Sequence, residues 1–166
     1  MVYDSLLSKF RIPGGINTQN HSPAMKLRLY SDGGSRGNPG RSAYAFIICD
    51  EKGKEIGSGS NFIGTMTNNE AEYHGLLAGL KEVKSRGAAE VEVFMDSELV
   101  IKQLKGQYRV KAPNLIPLFA EAIKLLEGFT SAKANHVYRE NPIITKADSM
   151  VNWVLDQHVL AQQLRK

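Results

Sequence analysis

The sequence predicts an α/β fold in which an antiparallel meander passes through a helix into a parallel strand pair. Two observations carry this. Residues 25–64 hold three strand-like segments joined by short links, the pattern of a meander. A helical segment at 67–86 then leads to a fourth strand, Glu90 to Asp96, that matches the first position by position.

Size and composition suit such a domain. The 166 residues are enough for one hydrophobic core, and 42% apolar with 23% charged residues is ordinary for a globular chain. A net charge of +4 permits a polyanionic partner without requiring one. Cys49 is the only cysteine, so no internal disulfide forms, which suits a reducing cytoplasmic setting. No apolar run approaches the roughly 18 residues of a membrane span, and a signal peptide's basic start is absent. The expectation is a cytoplasmic monomer with no membrane partner.

Residues 1–24 read as a flexible N-terminal extension. SLLSKF is a weak amphipathic patch, open to reading as a short docking peptide, and IPGGINTQNHSPA is rich in turn residues. The folded domain is expected at 25–166. Leu27 and Leu29 alternate with Arg28 and Tyr30 in a first strand that ends at Asp32. The following GGSRGNPG is expected to break regular structure and let the backbone approach another molecule. AYAFIICD (43–50) and KEIGSGSNFIG (54–64) are the second and third strands.

Thr67 with Glu70 forms a capping-box pattern for the first helix. Tyr73, Leu76, Leu77, Leu80 and Val83 make its apolar face, with Glu72 on or beside it. Gly75 and Gly79 each cost about 1 kcal/mol against alanine, so the helix is expected to pack close to the sheet. In the fourth strand Asp96 falls beside Asp32, Phe94 beside Tyr30 and Val93 beside Leu29. A helical crossover makes that pair parallel, which puts both acids at adjacent C-terminal strand ends, where open α/β sheets hold their sites.

Ser97 is an N-cap for a short helix to Lys105. GQYRVKAPN is a basic connector, Leu115 to Phe129 a further helix, and Lys133 to Tyr138 a fifth strand. RENPIITK reads as a loop, and a last helix runs from Thr145 or Lys146 to about Gln163, with Asp148 in its first turn.

Four acids thus converge: Asp32, Glu72, Asp96 and Asp148. Singly, each has a plain structural role as turn residue, solvated side chain or helix-dipole partner. Together they form an all-oxygen set of the kind that hard cations such as Mg²⁺ or Mn²⁺ prefer. Two such ions about 4 Å apart can activate a water and stabilise the leaving oxygen of a phosphodiester. A single mid-strand cysteine and no paired histidines argue against soft-metal or thiol chemistry.

Four pieces in order, YSDGGSRGNPG, TNNEAEYHGLLAGL, FMDSELVIKQL and KADSMVNWVLD, resemble the ribonuclease HI family. The likeness covers about residues 25–160. It is to the compact bacterial and archaeal type, because only a short stretch links Lys105 to Asn114 and leaves no room for a long basic protrusion. The resemblance implies a five-stranded mixed sheet with helices on both sides. It implies an endonuclease that hydrolyses the RNA strand of RNA–DNA hybrids, leaving 5′-phosphate and 3′-hydroxyl ends. By motif position, Asp32 would bridge two Mg²⁺ ions, Glu72 and Asp96 serving one and Asp148 the other, with Mn²⁺ a possible substitute.

It also implies substrate contacts. Asn38 and Asn69 match minor-groove readers, Glu98 with Ser97 stands where some members carry a glutamine, and Thr67 matches a residue that holds a DNA phosphate. The backbone of Gly33 and Gly34 would approach RNA 2′-hydroxyls, with Arg36 beside the site. Asn38 serves equally as a turn residue, and Thr67 as a helix cap. Lys102, Lys105, Arg109 and Lys111 read as a phosphate-tracking rim or as a solvated face. The stretch before Asp148 departs from the family pattern RExNxxAD. It is longer, Ile144 stands where the asparagine would be, and the family's loop histidine is missing, His136 lying earlier in a structural setting. Activity on duplex RNA or DNA, or hybrid binding without cleavage, are the competing readings.

Overall fold

The computed structural model describes residues 24–166, so the expectations for the N-terminal extension lie outside the described residues. Five strands, β1 (Lys26–Gly37), β2 (Gly40–Cys49), β3 (Glu55–Met66), β4 (Glu90–Met95) and β5 (Ser131–His136), form one sheet in the order β3-β2-β1-β4-β5. The first three are antiparallel, and β4 and β5 add in parallel. Among the described residues four helices accompany them: α1 (Asn68–Ser85), α2 (Glu98–Leu104), α3 (Ile116–Glu127) and α4 (Pro142–Leu164). This is the expected mixed sheet. None of these helices is long and apolar enough to cross a membrane.

Strand alternation separates two cores. Leu27, Leu29, Val91, Val93 and Met95 face α1 and pack with Tyr73, Leu76 and Leu80. Tyr30, Ala43, Ala45 and Ile47 face the other way and meet Ile144, Ala147, Val151 and Leu155 of α4. The β1–β4 ladder runs in the register read from the sequence, Leu27 beside Val91 through Tyr30 beside Phe94. The Tyr30 and Phe94 rings stack at 4.7 Å, which fixes that register from the α4 side.

Three expectations are corrected. GGSRG does not break structure: β1 continues through it to Gly37 and pairs with β2 from Gly33–Tyr44 to Gly37–Gly40. The glycines serve packing instead. A Cβ on Gly33 would lie 2.3 Å from the Ala71 carbonyl carbon and 2.4 Å from the Glu72 nitrogen, so only glycine lets α1 press onto β1 there. Gly75 answers from the helix side, where a Cβ would sit 2.8 Å from the Asp32 carbonyl oxygen.

The last helix begins earlier than expected. Asn141 caps it, its Oδ1 accepting from the Ile143 and Ile144 backbone N–H groups, and Pro142 takes the first helical position. The missing proline N–H is free of consequence there, because the first turn has no partner for it. Asp148 therefore sits in the second turn, not the first, and 142–146 is helix rather than loop. Strand β5 also lies earlier than predicted, ending at His136.

Candidate active site

The site lies where the β1–β4 ladder stops, at the C-terminal end of β4 and midway along β1. Their ladder closes at Tyr30–Phe94, and two residues further on Asp32 and Asp96 fall on the same side of the sheet as those rings. Glu72 comes from the opposite layer. It reaches the same point because α1 approaches β1 so closely at Gly33. Asp32 and Glu72 are each only 5% exposed. One carboxylate oxygen from each of Asp32, Glu72 and Asp96 lies within 4.8 Å of the others. Asp148 stands outside that trio but lines the same cavity, of about 280 Å³, with Gly33, Gly34, Arg36 and Arg139.

Burial and mutual repulsion dominate the electrostatics. Burial first, then the charges of Asp96 and Asp148, push the Asp32 carboxyl up to about 8. Burial also holds Glu72 well above the usual carboxylate range, with Asp32 and Asp96 adding to it. Asp96 is raised by burial against the opposing pull of the Arg139 guanidinium. Among the described residues no lysine or arginine forms an ion pair with any of the four acids. Glu72 Oε2 and Asp96 Oδ1 are buried with no hydrogen-bond partner. Buried oxygens of this kind are costly unless something completes them. A hard cation fits that gap: the donors are all oxygen and clustered, and among the described residues none is ion-paired to a lysine or arginine.

The predicted substrate contacts are placed unevenly. Gly33, Gly34 and Arg36 line the cavity. Arg36 is held at 2.7 Å by Asp156 and leans on Asn152, whose amide in turn donates to the Asp148 backbone oxygen at 3.1 Å. Asn38 Oδ1 accepts from the Asn68 backbone N–H at 3.1 Å, tying the β1–β2 turn to the start of α1. Thr67 completes the capping box with Glu70. Asn69 is half-buried in the first turn of α1, beside Asn68, which lines the cavity. Ser97 caps α2, and the exposed Glu98 is paired with Lys102 at 2.6 Å. His136 places Nε2 3.2 Å from the Asp96 backbone oxygen, which supports the acid's position.

Sequence reasoning missed Arg139. The sequence places it in a loop, yet its side chain lines the cavity and bears on both Glu72 and Asp96. The available signals were its place just ahead of the helix that carries Asp148 and its match to the arginine that opens the pattern RExNxxAD.

The comparisons follow this geometry. A family model described as "Reverse transcriptase-like" matches residues 30–154, three quarters of the chain. The ribonuclease HI of Halobacterium salinarum is 37% identical over 79% of this chain and 65% of its own length. The crystal structure of RNase H1 from that archaeon superposes with a TM-score of 0.76 at 36% identity, covering 80% of this chain and 98% of that one. The chain belongs to the ribonuclease H family. A second member of the family, LC11-RNase H1 in complex with an RNA/DNA hybrid, matches with a TM-score of 0.75 at 37% identity over 80% of this chain and 99% of that one. A bifunctional protein of Mycobacterium tuberculosis is 38% identical over 80% of this chain, which spans only 36% of that relative's length. Within this family frame, all four predicted acids border one cavity.

Proposed function

We propose that this protein is a ribonuclease H, an endonuclease that hydrolyses the RNA strand of RNA–DNA hybrids with two bound Mg²⁺ ions. The observation that carries the reading is the cluster of three acids within 4.8 Å, two of them with orphaned buried oxygens, in a chain of the ribonuclease H family. A family member solved with an RNA/DNA hybrid supports the substrate.

Asp32, Glu72 and Asp96 would hold one ion, and Asp32 with Asp148 the second. When bound, the ions supply an activated water and a charge sink for the leaving 3′-oxygen, giving 5′-phosphate and 3′-hydroxyl ends. The chain's own residues position the rest. The backbone of Gly33 and Gly34 brings the sheet end close to the RNA 2′-hydroxyls, the group that separates RNA from DNA. Arg36, exposed at the cavity rim, meets a phosphate after exchanging its contact with Asp156. Asn38, Asn69, Ser97 and Glu98 contact the hybrid beside it, and Thr67 a phosphate of the DNA strand. Asn141 and Pro142 hold the start of α4, and so the height of Asp148, without the asparagine spacing usual in the family.

Calorimetric titration with Mn²⁺ tests the metal part directly. We expect two ions bound by the native protein in the presence of a non-cleavable hybrid and a weakened second event in Asp148→Asn. End-group analysis of the cut RNA should give 5′-phosphates. A single ion whose binding is indifferent to Asp148, or 5′-hydroxyl products, would contradict the two-ion reading.

A further inference from the structure

A second cavity, mainly apolar, shares no lining residue with the acidic one. It lies between the end of α2, the connector after it and α3, with a volume of about 570 Å³. Leu104, Val110, Ile116, Phe119 and Ile123 form its walls. Tyr108 and Ile116 stand 46% and 48% exposed at its mouth, although large apolar side chains normally find cover. Val110, Phe119 and Ile123 rest on the main core, so the walls are backed by packed structure.

Arg109 lines the cavity, and Lys105 and Lys111 adjoin its lining residues Leu104, Gly106 and Val110 along the chain. From Leu99 to Ala120 the chain has four cations, Lys102, Lys105, Arg109 and Lys111, and no acid. The acids that bracket the stretch are each engaged, Glu98 with Lys102 and Glu121 with Lys81. Lys105, Arg109 and Lys111 are exposed and form no ion pair among the described residues. Lys102 is drawn over the Tyr108 ring at 4.8 Å, which holds that ring at the cavity edge.

We propose that this groove docks an acidic peptide of a partner protein, whose apolar side chains enter the cavity while its carboxylates meet Lys105, Arg109 and Lys111. Charge complementarity selects the occupant. Phosphates of a nucleic acid would satisfy the rim, but a duplex backbone presents nothing to fill an apolar cavity of this volume. A peptide with large apolar side chains between carboxylates satisfies both parts, the anchor supplying affinity and the rim supplying rate and selectivity. Such a contact would tether the protein to a partner without covering the acids.

The test uses the full chain and a fluorescein-labelled peptide of alternating glutamate and phenylalanine, read by fluorescence anisotropy. Controls replace phenylalanine by alanine, or glutamate by lysine. We expect binding in the range of about 10 μM, at least tenfold weaker for Arg109→Glu and for Ile116→Glu, and at least tenfold weaker for both control peptides. Both substituted side chains are exposed, and circular dichroism of each variant checks the fold. Equal binding of the alanine control, or no binding to the native protein at about 1 mM peptide, overturns the proposal. An RNA–DNA hybrid that displaces the peptide and loses affinity itself in Ile116→Glu overturns it too, by assigning the groove to the nucleic acid.

Discussion

Asp32 is the residue on which the site turns. Its carboxyl is pushed up to about 8 by burial and by its acidic neighbours, against about 4 in an unfolded chain. Between those values the folded, metal-free protein holds a proton that the unfolded chain has released. Stability present at low pH is therefore lost as pH rises from about 4 through about 8. Urea unfolding in chelator should show a lower midpoint near pH 9 than near pH 5, with added Mg²⁺ restoring much of the difference at the higher pH. In Asp32→Asn the dependence should flatten, and the metal-free protein should melt several degrees higher because a buried repulsion is gone. Identical midpoints for native and variant protein in chelator would remove this account of the site. The four acids were legible in the sequence because each has a positional reason to face inward. Arg139 was not, because a cation ahead of a helix looks the same whether it points to solvent or into a cleft.

Elements bring these residues together through close backbone approaches and caps. Gly33→Ala would drive a Cβ into the α1 backbone rather than into a yielding side chain. We expect a loss of about 1–3 kcal/mol or more in urea unfolding, with metal affinity falling alongside, since the same contact sets the height of Glu72. Asn141→Ala removes two backbone hydrogen bonds at the start of α4 and should cost about 1 kcal/mol, with Asp148 displaced enough to raise the Mg²⁺ concentration needed for half-maximal rate. The β1–β4 register could be read in advance because four consecutive positions, 27–30 against 91–94, match across it and the two aspartates fall opposite two residues on. The continuation of β1 through its glycines could not, because a glycine required by a neighbouring helix looks like a glycine that ends a strand. The start of α4 was written in Asn141-Pro142, an N-cap followed by the residue best suited to the first helical position, and was hidden by the comparison with a loop of different length.

At the scale of the molecule, the sheet order places the middle of β1, the end of β4 and two helices from opposite layers around one cavity. Parallel addition of β4 beside β1 is what brings Asp96, just past the end of β4, level with Asp32 in β1; an antiparallel pairing would put Asp96 at the far end of the sheet. The chain carries a net charge of +4, so hybrid binding should weaken steeply with salt. A plot of log affinity against log salt should be linear, and Arg36→Ala should reduce its slope by about one phosphate contact. The central claim is decided by cleavage itself. End-labelled RNA–DNA hybrid, duplex DNA and duplex RNA would be incubated with native protein and Asp32→Asn in Mg²⁺, Mn²⁺ and chelator. We predict cutting of the RNA strand of the hybrid alone, dependent on metal, and reduced by more than the roughly 100-fold typical of second-layer changes when Asp32 loses its charge. Hybrid bound but left intact by folded protein in either metal, or cutting that persists in Asp32→Asn, would contradict it.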